Sequence, residues 1–461
     1  MCLKTKQLIQ ATLISSRKVR PMTSRSLFPN AIRICTLTIL VGLAVTGCQS
    51  NGTPAAKSTA ATNSTEVLAR GQWDAFNHAQ LNQMITQYGK LSPNYNANKK
   101  PYAVFDFDNT SVFLDIEEAA LIYQLEQLQF KVTPQQLDKI IRTDISDKPF
   151  STDYNNKAGQ SVNINTVAPD IIASYTWLYN NYSGLNGKKN LAEVQKSPHY
   201  QNFITKMRYL YAAIGDTFDH SVSYPWVTYL FAGFNEQEVR TLTRNAFRWQ
   251  QTQKIGPVTW TSPESLAGKA GVVSVKWENG LRPHSEMQTL YRTLIDQGFD
   301  VYVCSASFTD VIKEMVSNPE MGFNISDQNV YAMQLERDAA GRIVPKFRAG
   351  YYQTQGKGKT QTIQKFLVSK YGYGPVFIAG DSEGDQNMMQ DFTDTQKVVI
   401  VNRLRKPTTD IGKFSKEAVA TYGKANAKYL LQGRDANTGQ FVPSSKTIVY
   451  GAREGKNLKG E

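Results

Sequence analysis

Two acidic side chains early in the chain have the types and the spacing to do chemistry. Asp106 and Asp108 come directly after the apolar residues 102–105, which predict a strand that ends at this point. Both carboxylates then lie at the mouth of the following turn, where their repulsion raises the pKa of one of them unless a cation intervenes. Mg²⁺ is a hard cation that binds oxygen ligands. We therefore expect a magnesium site, with one carboxylate free to attack a phosphorus atom and the other to transfer a proton.

Polar residues also follow two later strands of the sequence. Ser305 comes after the apolar run 301–304, and Asp381 and Asp385 come after residues 376–380. Open parallel sheets bind ligands at the carboxyl ends of their strands. We therefore expect these side chains to meet the first pair of aspartates in one crevice.

A lysine is expected to bring positive charge to the same crevice. Lys357 and Lys359 both stand in a glycine-containing stretch that opens a predicted helix. Lys359 fits the apolar pattern of Ile363, Phe366 and Leu367 better, so we favour it. The other lysine would then be a solvated side chain.

The predicted helices and strands that position these residues alternate along the sequence, as in an α/β fold. After residue 283 the predicted helices are 283–297, 308–316, 359–371 and 385–391, and the predicted strands are 300–304, 330–334, 376–379 and 397–401. Such alternation predicts a parallel sheet with right-handed crossovers. Residues 111–275 show little strand signal and indicate a helical insertion. The tail, 410–461, predicts a hairpin in which 441–450 pairs with an earlier segment, and no function is assigned to it.

Four short motifs resemble, in order, spacing and placement at strand ends, those of the haloacid dehalogenase superfamily in its phosphatase branch. They are Asp106-x-Asp108-x-Thr110, Ser305, a lysine near 359, and Gly380-Asp381-x₃-Asp385. The resemblance implies a Rossmannoid parallel sheet core formed by 71–110 and 276–461. It also implies a helical cap of the first class, 111–275, inserted between the first and second motifs.

The resemblance assigns the chemical steps to the two aspartates of the first motif. Asp106 would attack phosphorus and form an aspartyl-phosphate, which splits one hydrolysis into two displacements. Asp108 would protonate the departing alcohol and then take a proton from water.

It also implies how the remaining motif residues assist. Mg²⁺ would be bound by Asp106, the backbone carbonyl of Asp108, and Asp381, with Asp385 orienting the lysine or a metal-bound water. Ser305, Thr110 and the backbone N–H of Ala306 would contact the phosphate group. Lys359 would balance the charge of phosphate and nucleophile.

Parts of the insertion, and a short stretch after it, resemble the exported phosphorylcholine phosphatases of bacteria. These parts are 111–123, the stretch from Tyr224 through Trp226 to residue 234, and 281–283. A trimethylammonium group binds to aromatic faces, so Tyr224 and Trp226, with the carboxylate of Glu118 or Glu117, are candidates for the alcohol end of the substrate. The alternative is that these aromatic side chains only fill a core.

The predicted function is therefore Mg²⁺-dependent hydrolysis of phosphocholine or a similar small phospho-amino alcohol. One alternative is a phosphatase for another small metabolite, such as phosphoserine. Another is a non-catalytic surface lipoprotein on the same scaffold, although the complete set of motifs argues against it. Dehalogenation is disfavoured, because displacing a halide needs neither Asp108 nor the acidic cluster around Asp381.

The N-terminus predicts export. Basic residues lead into the apolar run 34–45, which is too short to span a bilayer and fits a signal peptide over 1–47. Leu43-Ala-Val-Thr-Gly-Cys48 resembles a bacterial lipobox, which implies a lipidated Cys48, a polar tether over 48–70, and an outer-membrane lipoprotein facing the periplasm. A plain signal peptide, an N-terminal anchor helix and a start at Met22 remain open.

Charge and cysteine content exclude other classes. The net charge is +13, but residues 1–47 contribute +7 of it and contain no acid, so the remaining +6 gives no argument for nucleic acid. Without the signal peptide and Cys48, Cys304 is alone, which excludes a disulfide framework. The sequence does not decide the oligomeric state.

Overall fold

Six parallel strands form the sheet that carries the motifs, in a computed structural model that describes residues 66–461. The strands are β1 Tyr102–Phe105, β6 Asp300–Phe308, β7 Val330–Met333, β10 Phe377–Gly380, β11 Lys397–Val401 and β12 Tyr429–Gln432. Their order in the sheet is β12-β11-β10-β1-β6-β7. The predicted α/β fold with a parallel sheet is confirmed.

Helices cover both faces of this sheet. Successive residues of β1 point to opposite faces: Ala103 and Phe105 belong to one apolar core, and Tyr102 and Val104 to the other. A strand that is buried on both faces has a continuously apolar sequence. β11 (Lys397–Val401) has such a sequence after its first residue. β1 pairs with β10 on one side and β6 on the other, so the strand order reverses beside it. A crevice forms where the order reverses, at the carboxyl end of β1.

The helices of the described residues are as follows: α1 Ala75–Tyr88, α2 Ile116–Glu126, α3 Pro134–Ile141, α4 Ile164–Asn181, α5 Leu191–Val194, α6 Pro198–Thr217, α7 His220–Thr228, α8 Glu236–Thr252, α9 Ser285–Asp296, α10 Thr309–Ser317, α11 Lys357–Ile363, α12 Ser369–Tyr371, α13 Gln386–Gln390 and α14 Asp410–Ala420. A π-helical turn, Gln364–Val368, joins α11 to α12. None of these helices is both long and apolar enough to cross a membrane.

The insertion between β1 and β6 is not entirely helical. Its helices α2 to α8 are followed by an antiparallel hairpin of β3 Gly256–Thr261 and β4 Ser274–Asn279, which the sequence analysis missed. The signal was present, since Val275 and Trp277 are buried and alternate with exposed neighbours along β4. A two-residue strand β2, Val112–Phe113, also pairs with β5, Arg282–Pro283.

The two ends of the described chain pack on the core. Leu68 is fully buried, and the backbone N–H groups of Val67 and Leu68 donate to the Asn82 side chain, within the range assigned to the tether. The C-terminal region forms a small sheet, rather than one hairpin, in the order β14-β13-β15-β16. Its strands are β13 Arg434–Asp435, β14 Gln440–Phe441, β15 Thr447–Ile448 and β16 Gly455–Lys456. One further hairpin, β8 Leu335–Arg337 with β9 Ile343–Phe347, follows β7.

The expectations of a signal peptide over 1–47, a lipidated Cys48 and most of the tether lie outside the described residues. Within them, Cys304 is a free, buried thiol near the middle of β6. Burial raises its pKa to about 12.

A buried ion pair holds α4 against α6. Lys206 has no exposed side-chain surface, and its ammonium group donates to Asp170 at 2.8 Å and to the Ala267 carbonyl at 2.7 Å. Asp170 also accepts from the backbone N–H groups of Lys269 and Ala270, each at 2.9 Å. One carboxylate therefore joins two helices and a loop of the insertion.

Replacing Asp170 by Ala leaves the Lys206 ammonium buried without its counter-charge, which we expect to lower the free energy of unfolding by about 3–5 kcal/mol. The measurement is urea denaturation at neutral pH. The control is Asp138→Ala, which removes an exposed i,i+4 pair with Arg142 and should cost about 0.5 kcal/mol or less. Equal costs for the two variants would contradict the assignment.

Candidate active site

The loop after β1 places Asp106 and Asp108 at the carboxyl edge of the sheet. The Asp106 backbone N–H still donates to the Ala379 carbonyl of β10 at 2.9 Å, so its position is fixed by the sheet. Asn109 then turns the chain with φ 59°, in the left-handed region that asparagine tolerates better than most residues. Asp106, Asp108 and Asn109 all line one cavity.

Lys359 is the lysine that enters this cavity. Its ammonium group donates to Asp106 Oδ1 and to Asp385 Oδ1, each at 2.6 Å, and its side chain is 2% exposed. Lys357 is exposed at the first residue of α11. Gly356 precedes it at φ 51° and ψ −127°, a conformation that glycine adopts without a Cβ clash. The structure therefore separates two lysines that the sequence left open.

Three buried carboxylates form the acidic cluster, which we define as Asp106, Asp381 and Asp385. One ligand oxygen from each lies within 4.8 Å of the others. The Thr110 hydroxyl lies 2.9 Å from Asp106 Oδ2 and 3.1 Å from Asp381 Oδ1, so its single proton is shared between these two acceptors. Arg403 donates to Asp381 Oδ2 at 2.6 Å. Protein donors thus hold the acidic cluster from several sides.

The acidic cluster fits a divalent cation. Burial, and then the charge of Asp385, raise the pKa of Asp106 well above its usual range. Burial alone would lower the pKa of Lys359, but the charges of Asp106 and Asp385 outweigh it and raise that pKa. Three carboxylates against Lys359 and Arg403 leave one negative charge, and carboxylate oxygens are the ligands that Mg²⁺ takes.

Every carboxylate oxygen of the acidic cluster lies within hydrogen-bond distance of a protein donor. For Asp106 and Asp381 the donors are Lys359, Thr110 and Arg403. The Asp385 Oδ1 accepts from Lys359, and its Oδ2 accepts from the backbone N–H groups of Asp381 and Ser382 at 3.0 Å. Asp385 therefore orients Lys359, which was one of its two predicted roles. An ion bound by Asp106 and Asp381 would displace one of these donors.

Asp108 is held apart from the acidic cluster. Its Oδ1 accepts from the Ile116 N–H at 2.7 Å, and its Oδ2 accepts from the Ser307 hydroxyl at 2.7 Å and more weakly from Ser305 at 3.4 Å. Burial, followed by the charges of Asp115 and Asp106, raises its pKa well above the usual range. A carboxyl group with a raised pKa can carry a proton, as a general acid must.

The cavity has a volume of about 440 Å³ and lies between the sheet and the insertion. The sheet side contributes the aspartates, Lys359 and Arg403, and the insertion contributes Tyr154, Arg208, Tyr211 and Tyr224. The N-terminal end of α2 adds Asp115, Glu117 and Glu118. The Asp115 side chain caps this helix by accepting the Glu118 N–H at 2.9 Å, and burial raises the pKa of Asp115 to about 6.

Arg208 stands out among the residues from the insertion. Its side chain is 5% exposed and donates to the Glu118 carboxylate, with its guanidinium 4.9 Å from the centre of the Tyr211 ring. Its Nε and one terminal nitrogen have no hydrogen-bond partner among residues 66–461. Buried donors without partners are rare in proteins, so this side chain has capacity for an anionic group.

Some of the residues predicted to contact the substrate line the cavity, and others do not. Glu118, Tyr224 and Ala306 line the cavity, whereas Thr110 is fully buried and points to the acidic cluster. Trp226 does not line the cavity, although Tyr224 and Val227 beside it do, which corrects the expectation that its ring faces the substrate.

The reason for the position of Trp226 is its packing. It is fully buried in the larger apolar core, and its indole N–H donates to the Ile141 carbonyl at 3.1 Å. Ser305 is also fully buried and does not line the cavity, while Ala306 and Ser307 do. At the end of β6, Ala306 and Ser307 are therefore the residues exposed to the cavity, and a phosphate contact of Ser305 stays a prediction.

Sequence reasoning missed several residues of the site. Arg403 comes two residues after β11 ends, so the rule that ligands bind at strand ends could have found it. Ser307 lies on β6, which continues to Phe308 instead of ending at residue 304. Arg208 and Tyr211 stand on α6 without any local pattern that distinguishes them from core residues.

The chain is similar to two known proteins over most of its length. No family model matches the chain. It is 24% identical over 377 residues to the phosphorylcholine phosphatase of Pseudomonas aeruginosa, covering 77% of this chain and 87% of that protein. A conserved, functionally unknown protein from Anaerococcus prevotii has a similar structure, with a TM-score of 0.79 and 33% identity over 84% of this chain and 99% of that one.

Replacing Lys359 by Met leaves Asp106 and Asp385 close together without the cation between them. We expect the free energy of unfolding to fall by about 3–5 kcal/mol, as for other broken buried pairs. Thermal and urea denaturation in metal-free buffer provide the measurement. Lys357→Met, in the same helical turn but exposed, is the control and should match the unsubstituted protein; similar losses in both would show that Lys359 is not the buried partner.

Proposed function

We propose that this chain is a phosphatase of the haloacid dehalogenase superfamily and that it hydrolyses phosphorylcholine or a similar small phospho-amino alcohol with the help of Mg²⁺. The observation that supports this most is the meeting of Asp106, Lys359 and the two acidic residues of the last motif in one buried crevice that opens into a cavity. A phosphomonoester fits this arrangement because attack, charge balance and proton transfer each have a residue.

In the first step, Asp106 Oδ2 attacks phosphorus in line with the ester bond. A bond forms between the Asp106 oxygen and phosphorus, the bond from phosphorus to the alcohol oxygen breaks, and the proton of Asp108 passes to that oxygen. Lys359 holds the Asp106 carboxylate through its other oxygen, Oδ1, which leaves Oδ2 directed by the Thr110 hydroxyl.

In the second step, Asp108 takes a proton from water as the water oxygen attacks phosphorus. The bond between Asp106 and phosphorus breaks, which releases inorganic phosphate and restores both aspartates. Mg²⁺, when bound by Asp106, the Asp108 carbonyl and Asp381, supplies positive charge that offsets the phosphate oxygens and favours ionised Asp106. Ser307 holds Asp108 in place through both steps.

The side chains that line the cavity are suited to a substrate whose alcohol group carries a positive charge. Asp115, Glu117 and Glu118 stand on one side, and the rings of Tyr211 and Tyr224 lie near them. Aromatic faces and carboxylates bind a quaternary ammonium group, with about 0.5–2 kcal/mol from each ring. The likeness to phosphorylcholine phosphatase points to the same class of substrate.

A phosphorylated amino acid, such as phosphoserine, is the second candidate. The observation that favours it is Arg208, whose two unpartnered nitrogens could bind a substrate carboxylate while Glu117 bound the ammonium group. Phosphocholine has no carboxylate, so only phosphoserine would accept hydrogen bonds from the unpartnered nitrogens of Arg208.

We also propose, from the leader sequence, that the protein is exported and tethered to the outer membrane, facing the periplasm, by a lipid on Cys48. The apolar run 34–45 and the lipobox-like residues 43–48 support this. Incorporation of radiolabelled palmitate that is lost in Cys48→Ala would establish it.

Asp106→Asn should lower the rate of phosphate release from phosphorylcholine by about 10³-fold or more, because the variant lacks the nucleophile. The amide keeps the shape of the carboxylate, so the fold should survive. Phosphate release is measured before and after treatment with EDTA and again after Mg²⁺ is restored. The unsubstituted protein should lose activity with EDTA and regain it with Mg²⁺.

The control for this experiment is Glu383→Gln. Glu383 is two residues from Asp381 but pairs with Arg405 and does not line the cavity, so its activity should equal that of the unsubstituted protein. Activity in Asp106→Asn, or activity that survives EDTA, would contradict the mechanism.

Arg208→Met decides between the two substrate classes. If the substrate carries a carboxylate, kcat/KM for phosphoserine should fall by about tenfold or more while that for phosphorylcholine changes little. The matched control is Arg248→Met, whose side chain is 55% exposed and pairs with Glu320. A similar loss on both substrates would show that Arg208 only holds Glu118 in place.

A further inference from the structure

The small sheet at the C-terminus touches two loops of the active site. It begins two residues after β12 ends, and its strands lie within 434–456. Phe441 of this sheet packs on the Trp73 ring at 5.3 Å and on the His284 ring at 4.3 Å, between ring centres. Phe441, Trp73 and His284 are all buried, so the sheet is part of the core rather than a loose tail.

The first contact reaches the loop that bears the nucleophile. Arg434, 7% exposed, donates from its guanidinium to Asn109 Oδ1 at 3.2 Å. Asn109 lies between Asp108 and Thr110 in the left-handed conformation, and its own N–H donates to the Leu114 carbonyl at 2.8 Å. The side chain and the backbone of this residue are therefore both held.

The second contact reaches the strand end that bears Arg403. The Asn402 side chain donates to the carbonyls of Ser445 and Asn457, each at 2.9 Å. The Thr447 hydroxyl donates to the Asn402 carbonyl at 2.7 Å. The next residue is Arg403, which donates to Asp381 of the acidic cluster.

Within the described part of the chain, Arg434 is a buried cation without the carboxylate partner of a structural ion pair. No carboxylate of residues 66–461 lies within ion-pair distance of its guanidinium, and its Nε has no partner among them. The guanidinium stacks 4.8 Å from the centre of the Phe113 ring. Burial of a cation without a carboxylate partner lowers the free energy of unfolding. The contact of Arg434 with Asn109 is therefore better explained by a role other than stability.

We propose that the C-terminal sheet positions the active site, with Arg434 holding the nucleophile loop through Asn109 and Asn402 holding the strand end that presents Arg403. The proposal rests on the proposed role of Asp106. Arg434 and Asn402 are positioning residues, because neither touches the reacting atoms. The geometry that Asp106 needs for in-line attack then depends on a segment more than 300 residues away in the sequence.

The test uses the full chain and p-nitrophenyl phosphate, whose alcohol group is neither cationic nor acidic. Arg434→Gln should lower kcat about tenfold with little change in KM, since the substrate site is untouched. Arg434→Lys keeps the charge and should recover part of the loss. Arg453→Gln, exposed in the same segment, is the control and should leave kcat unchanged.

A double-mutant cycle tests whether Arg434 acts through Asn109. Asn109→Gly keeps the left-handed turn and removes the amide that Arg434 binds, so the double variant should be no slower than Asn109→Gly alone. Additive losses would overturn the proposal, as would wild-type kcat in Arg434→Gln. If Arg434→Gln does not fold, Asn109→Gly alone should show the tenfold fall in kcat, and wild-type kcat there would overturn it.

Hydrogen–deuterium exchange gives a readout that does not depend on activity. Arg434→Gln should increase exchange in peptides that cover 106–114 and leave the other loops unchanged. Unchanged exchange at 106–114 would overturn the proposal even in an active enzyme. Absence of phosphatase activity in the unsubstituted protein would instead contradict the proposed function, and the exchange result would still decide the positioning role.

Discussion

Repulsion among closely spaced carboxylates is the constraint on which the rest of this site depends. Asp106, Asp381 and Asp385 are buried within a few ångströms of one another, and such a group is stable only if donors and cations surround it. Lys359 and Arg403 supply the positive charge. Each of these five residues comes from a loop at the carboxyl edge of the sheet, or from the helix that packs there. The topology of the sheet therefore brings the three carboxylates and their two counter-charges together.

The order of the strands explains why a single edge can hold these groups. β1 lies between β10 and β6, so the loop with Asp106 has the loop with Asp381 on one side and Ala306 on the other. The insertion then closes the crevice with residues that no strand end could provide, such as Arg208 and Tyr211. The sheet thus positions the acidic cluster and Lys359, and the insertion supplies the side chains that face them across the cavity.

The sequence predicted what depends on local pattern and missed what depends on packing. The strand ends that carry Asp106 and Asp381 followed from apolar runs and polar turns. Trp226 looked like a binding residue, but its buried indole finds a carbonyl within the core, and no periodicity distinguishes these cases. The partners of Lys359 and the contact from Arg434 to Asn109 join distant segments, so only the folded chain reveals them.

The ion pair between Arg403 and Asp381 gives part of the acidic cluster a counter-charge from the chain itself. Lys359 and Arg403 both stand against the acidic cluster, so its negative charge is largely offset by internal counter-ions. A divalent ion that bound to Asp381 would compete with the Arg403 guanidinium for one carboxylate. Binding of such an ion would then be coupled to movement of a single side chain.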